Sequence, residues 1–441
     1  MRFSLIKLMQ GLLYTAPALL LTLAACGGGG GGGGDAPATP PAAPANVVAS
    51  TSLGCVPRIS ISWNAVTGAT GYDVYRSTAT GVAGTKITAA PVTISPYVDV
   101  DTALAKATTY FYTVTAANAV GNSATSTAAS AMTGSTVCTL TGGSMQGVAL
   151  TLAKTVATIA GKGGIAGLTN DTGTLATFNT PSGMATDGVY LYVADSTNNA
   201  IRKINIVTKV VTTLAGSGTA GFANGTGTLA TFNNPLGVTT DGTNIYVVDT
   251  GNSAIRKITS GGVVTTLATG LAIPKGITFD NKDLYVTDGA TVYKIVIATP
   301  TPTVFATGLN SGFGITFEGA NFYVADAGSS AIVQITPAGA VSTYAGGVVG
   351  NLDGIGTAAK FTTPQGIASD GTNLYVSDTG NHTIRKIDAN KLVTTLAGTG
   401  LSGKLDGAGA SATFSSPTGI TTDGNSVYIA DFGTNIIRQM Q

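Results

Sequence analysis

Residues 156–161 read VATIAG, and the chain ends at IIRQMQ (436–441). Five later stretches resemble the first: VVTTLAG (210–216), VVTTLATG (263–270), PTVFATG (302–308), AVSTYAGG (340–347) and LVTTLAG (392–398). Each of the five follows a segment such as IRKI, whereas VATIAG follows none and the final IIRQMQ is followed by no VTTLAG. The chain opens with the end of a repeat and closes without one.

Between these ends a pattern recurs: PSGMATDGVYLYVADSTNNAIRKI (181–204), PLGVTTDGTNIYVVDTGNSAIRKI (235–258), PQGIASDGTNLYVSDTGNHTIRKI (364–387) and PTGITTDGNSVYIADFGTNIIRQM (417–440). Two degenerate copies, 274–295 and 313–335, lie in the middle. The Asp of each YVAD-like stretch falls at 195, 249, 288, 326, 378 and 431, which makes six units. Each unit holds four short runs with turn signals between them, and four strands in about forty residues describe one blade of a β-propeller. The reading is a six-bladed ring in which the N-terminal strand 156–161 completes the last blade beside Ile436–Met440. That pairing would remove an unpaired edge and join first blade to last. The copies resemble NHL repeats across roughly 155–441. DTGNHTIRKI carries the Asn-His pair of that family's name, with Thr383 in place of the following Leu.

The start, MRFSLIKLMQGLLYTAPALLLTLAAC, has a basic end and an apolar run up to small residues, the pattern of a secretory signal over 1–25. LAAC (23–26) resembles a bacterial lipobox, which implies lipidation of Cys26 and a place in the outer membrane of a Gram-negative bacterium, facing periplasm or exterior. Residues 26–46 carry eight consecutive glycines and a Pro-Ala run, a tether that cannot build a core.

Residues 47–134 alternate apolar and polar in runs such as ISISW (59–63), YDVYR (72–76) and YFYTVTAAN (110–118), the mark of an all-β sandwich. This segment resembles a fibronectin type III domain, and the resemblance makes Tyr110, six residues after Leu104, the residue whose hydroxyl bonds back to nearby backbone. It also brings Cys55 and Cys138 towards one pole as a candidate disulfide in an oxidising compartment. A linker, 135–154, follows. The fold class expected is therefore all-β, a fibronectin III-like sandwich followed by a six-bladed propeller.

Chemistry is scarce. Charged residues make up 10% of the 441 and the net charge is +1, so no basic face for nucleic acid is announced. The IRKI pairs and Arg438 are read as cations of an outer strand balanced by Asp. The chain holds one His, His382, in a slot filled elsewhere by Asn or Ser. NHL-type lyases need several His ligands, which this chain lacks. A repeated acid, such as Asp187 or Glu318, is expected to cap a turn. No catalytic residue, metal ligand or cofactor is assigned, although a calcium site of Asp, Asn and carbonyl oxygens stays open. Four units carry an insertion ahead of their first strand: 161–181, 216–235, 347–364 and 398–417. In a closed ring these are consecutive and form a crescent with a notch at units three and four. Phe178, Phe232, Phe361 and Phe414 sit at one register and are read as core, whereas Leu168, Phe222, Leu352, Lys404 and Leu405 are the binding-surface candidates. Asn170, Asn224, Asp353 and Asp406 are read as turn formers. The expected function is a lipid-anchored envelope scaffold that binds a protein or glycan. The alternative is an extracytoplasmic enzyme or sensor with a small-molecule or calcium site near the channel.

Overall fold

The computed structural model describes residues 39–51, 57–93, 95–99, 101, 104–134, 139–141, 143–147 and 149–441. The expected signal, the lipidation candidate Cys26 and the pair Cys55 and Cys138 all lie outside the described residues. Among the described residues no helix is long and apolar enough to cross a membrane.

The first part is two facing antiparallel sheets. One joins Val48–Thr51, Ile59–Ser62 and Tyr97–Asp99; the other joins Thr85–Lys86, Gly71–Ser77, Thr109–Ala117 and Ala129–Met132. Alternate residues turn inward, so Ile59, Ile61, Trp63, Val74, Tyr112 and Val114 form one core. The Tyr110 hydroxyl accepts the backbone N–H of Ala105 at 2.8 Å, a link back to the segment just after Leu104.

From residue 155 onward the chain makes six antiparallel sheets, numbered here in chain order by their first strands: Pro181–Thr186, Pro235–Thr240, Pro274–Phe279, Gly312–Glu318, Gly366–Ser369 and Pro417–Thr422. These first strands pack side by side in a closed circuit, the last returning to the first. Glycine is what permits that spacing. A Cβ on Gly183, Gly237, Gly276, Gly314, Gly366 or Gly419 would collide with the carbonyl oxygen of Leu236, Lys275, Phe313, Gln365, Thr418 or Ser182 respectively, each on the next sheet round. The sixth sheet takes its outer strand from the other end of the domain: Thr155–Ala160 runs antiparallel to Ile436–Met440, with Val156 opposite Met440 and Thr158 opposite Arg438. Val156 and Ile159 are buried by the pairing, and one non-local strand thereby covers an edge and links the domain's two ends.

The segment expected to be a plain linker contains structure. Thr139–Thr141 and Ser144–Gln146 form a hairpin that docks on the end of the circuit where the first strands finish. The Gly143 carbonyl accepts Thr186 N–H and Thr421 Oγ1, both at 2.8 Å. Thr141 Oγ1 meets the Asn281 side chain, Gln146 Nε2 donates to Phe317 O at 2.7 Å, and Gly147 N–H donates to Asp370 O at 2.9 Å. Leu140 lies against Gly242 of the second sheet. All six sheets are touched, and the hairpin closes that end of the circuit. The sandwich reaches the same side through Arg58, which pairs with Asp423 at 3.1 Å and donates to Gly188 O.

Candidate functional site

The repeat residues prove to be scaffold. Asp187, Asp241, Asp370 and Asp423 each accept two backbone N–H groups of their own turn and a Tyr hydroxyl, as in Asp187 with Val189 N, Tyr190 N and Tyr192 Oη. Burial and the neighbouring carboxylate push the Tyr192 phenol well up. Glu318 departs from the pattern: its extra methylene carries the carboxylate to Ser369 Oγ at 2.6 Å, and burial raises it above the usual range. His382 has φ 56°, and its Nδ1 accepts Ser416 N–H at 3.0 Å, the task that Asn435 Oδ1 performs for Thr180. It is a strut between neighbouring sheets. Among the described residues no group of His, Cys, Asp and Glu is arranged to hold a metal.

The IRKI arginines are where sequence reading and structure part. Expected as cations of an outer strand, Arg202, Arg256, Arg385 and Arg438 are 0% exposed. Each pairs through Nη1 with the YVAD-like Asp of its own sheet, at 2.8, 2.7, 2.7 and 3.3 Å. Each lies over a buried Phe, as Arg202 does over Phe178 at 5.0 Å. Each also sends Nη2 to the supposed turn former of the insertion: Asn170, Asn224, Asp353 or Asp406, at 2.7–2.9 Å. The third and fourth sheets, which lack the insertion, have Tyr293 and Val333 at the arginine's place. The arginine and the insertion therefore come together, a correlation that was readable in the sequence. Desolvation raises Asp195, Asp249, Asp378 and Asp431, the last to about 6.

So held, each insertion is partly core and partly surface. Its first half lies beside the turn between second and third strands, where Asn198, Asn252 and Asn381 Nδ2 donate to Gly167, Gly221 and Gly350 O. Its second half runs along the sheet's outer edge, where Gly225–Thr226, Gly354–Ile355 and Gly407–Ala408 pair as fifth strands. The expectation of loops standing on one face is corrected accordingly: much of each insertion completes its sheet. Phe178, Phe232, Phe361 and Phe414 are all fully buried. The insertions do adjoin: Asn351 faces Gly400, Lys404 Nζ donates to Gly163 O at 2.9 Å, and Leu168 packs on Gly218. Of the five candidates, Phe222, Leu352 and Leu405 are exposed by 45, 51 and 64%, and Lys404 is exposed as well. Leu168 is only half-buried, and Phe222 also covers the Arg256 guanidinium at 4.9 Å.

Inside the circuit, at the end opposite the hairpin, is a cavity of about 280 Å³ lined by all six first strands. Its inner wall repeats (glycine, then Met, Val or Ile), but its mouth does not: the residues ahead of the six glycines are Ser182, Leu236, Lys275, Phe313, Gln365 and Thr418. Phe432 joins them from the sixth sheet. The candidate list from sequence missed this ring, although its one diverging register was visible in the aligned repeats.

No family model matches the chain. It is 31% identical over 292 residues to the protein Suppressor of quenching 1, chloroplastic, of Arabidopsis thaliana, and 29% identical over 297 residues to NHL repeat-containing protein 2 of Gallus gallus. Each match covers 60% of this chain but only 25% and 39% of those longer proteins. An auxiliary nutrient binding protein of Bacteroides thetaiotaomicron superposes with a TM-score of 0.53 at 18% identity, covering 92% of this chain and 98% of that one, a likeness of fold. The chain is an all-β protein of propeller type with NHL-repeat homologues.

Proposed function

We propose that this chain is a lipid-anchored binding protein of the cell envelope, tethered through Cys26 to the outer membrane of a Gram-negative bacterium. A fibronectin III-like sandwich would serve as spacer and a six-bladed propeller as the recognition body, without catalysis. The nutrient binding for which the solved neighbour is named supports a binding role, and the use of the repeated acids, arginines and His382 as struts supports a non-catalytic one.

The observation that carries the reading is the distribution of exposed apolar side chains. Of nineteen large ones among the described residues, ten lie on the four adjoining insertions, including Leu229, Val349, Leu352, Leu401 and Leu405. Exposed apolar side chains concentrated on adjoining segments of a rigid scaffold mark a contact surface, called the rim below. Its aliphatic character suits a protein partner, because glycan recognition leans on exposed aromatic faces and Phe222 is the one aromatic among the ten.

The test is crosslinking capture from envelope extract with the full chain in detergent, beside a Leu352→Ser/Leu405→Ser chain. Phe222 is left in place because it covers Arg256. A protein captured by the first and lost from the second supports the rim. Equal capture, or binding of glycan alone, overturns it.

A further inference from the structure

The cavity inside the ring is a separate feature from the rim. It is blind, since the 139–147 hairpin closes the far end through contacts with every sheet. Its wall is apolar, with Met184, Ile277, Ile315 and Ile420 between the glycines. Among its nineteen lining residues Lys275 alone is charged. Among the described residues no carboxylate lines the cavity to balance it: Lys275 Nζ donates to Ser311 Oγ at 3.3 Å and sits 3.7 Å from the Phe313 ring centroid. An ammonium half withdrawn from water is stabilised by an anion that shares its apolar surroundings. Gln365, on the mouth, adds an uncharged amide able to donate or accept.

Two further details shape access. The rim insertions are missing ahead of the third and fourth sheets, where Lys275 and Phe313 enter the ring, so the approach is lowest beside the charge. Phe432 occupies a slot where Ser196, Thr250 and Thr379 donate their hydroxyls to the carbonyl of Pro235, Pro274 and Pro417. The sixth sheet gives up that clip and lends the cavity an aromatic side chain instead.

We propose that this cavity binds a small organic anion, a carboxylate on a short apolar body, with Lys275 as its counter-charge and Phe313, Leu236 and Phe432 around the body. The site is independent of the rim, and a chain altered at Leu352 and Leu405 should retain it.

Isothermal titration of the intact chain with hexanoate and phenylacetate, beside their neutral amides and inorganic phosphate, tests the proposal. The carboxylates should bind at least about tenfold more tightly than the amides, a difference of about 1.4 kcal/mol. Lys275→Met should abolish that preference and leave the amides unchanged. Equal binding of acid and amide, phosphate binding as well as the carboxylates, no binding by any probe, or a preference surviving Lys275→Met would each overturn it. If Lys275→Met fails to fold, the acid-to-amide ratio of the unaltered chain still decides.

Discussion

Asp353 Oδ1 lies 2.7 Å from Arg385 Nη2, a bond from a half-exposed insertion to a guanidinium that water does not reach. The same guanidinium holds the buried Asp378 at 2.7 Å through Nη1 and donates further to the carbonyls of Leu352 and Lys360. One cation thus joins a sheet to the segment that covers its edge.

The two carboxylates should differ in worth. Asp378→Ala leaves a buried guanidinium without its enclosed partner and should cost about 3–5 kcal/mol. Asp353 is 47% exposed, so solvent screens its bond and Asp353→Ala should cost less than about 1 kcal/mol. Burial pulls the Asp353 carboxyl up, but the Thr395 N–H and Arg385 outweigh it and leave it below its usual value. Urea denaturation of the two variants checks the order. Equal losses would mean that the half-exposed bond holds the arginine as strongly as the buried one.

Asp431 should respond to pH differently from its counterparts. Asn198, Asn252 and Asn381 each donate an amide to the equivalent carboxylate at 2.7–2.8 Å, whereas the sixth sheet has Thr434 there, and its arginine contact is the longest of the four at 3.3 Å. Burial therefore raises Asp431 to about 6 from 3.8. A carboxyl raised on folding favours the fold below its unfolded pKa, and that contribution is lost as pH rises through about 6. Thr434→Asn should replace the Thr434 hydroxyl with the amide donor that the other three sheets use, and lower the pKa. The variant should gain about 1 kcal/mol at pH 7.5 and nothing below pH about 4. Thermal melts at the two pH values measure it, and a gain that is the same at both would refute the assignment.

The hairpin should prove part of the ring's stability. Gly143 has φ 76°, and a Cβ there would press on Ala185 and come close to Thr239 Oγ1, so Gly143→Ala should cost about 1–3 kcal/mol. Gly81 has φ 70° and open space around it, so Gly81→Ala isolates the backbone strain and should cost about 1 kcal/mol. Melting curves of both compare the terms. A Gly143 variant no less stable than the Gly81 one would mean that the hairpin is not tightly seated.

Much of the scaffold was legible because repetition exposes roles. A residue recurring at one register, such as the first-strand glycine in all six units or the turn Asp in five, must serve the architecture that recurs with it. The same logic marked His382 as structural, since Asn and Ser fill its slot elsewhere. What escaped was contact between registers distant in sequence. Arg385 reaches back thirty-two residues to Asp353, and neither side chain alone announces a buried pair. Only comparing the four sheets that hold both with the two that hold neither would have shown it.

By itself the sequence determined the strand periodicity, the six units and the displaced strand 156–161, because alternation and turn residues act locally and each copy repeats the message. The tertiary structure alone decided which charges are buried, that the 139–147 hairpin closes one end of the ring, and that Lys275 faces a cavity without a carboxylate. Burial depends on what comes from elsewhere in the chain to exclude water, and a one-dimensional pattern does not contain that neighbour.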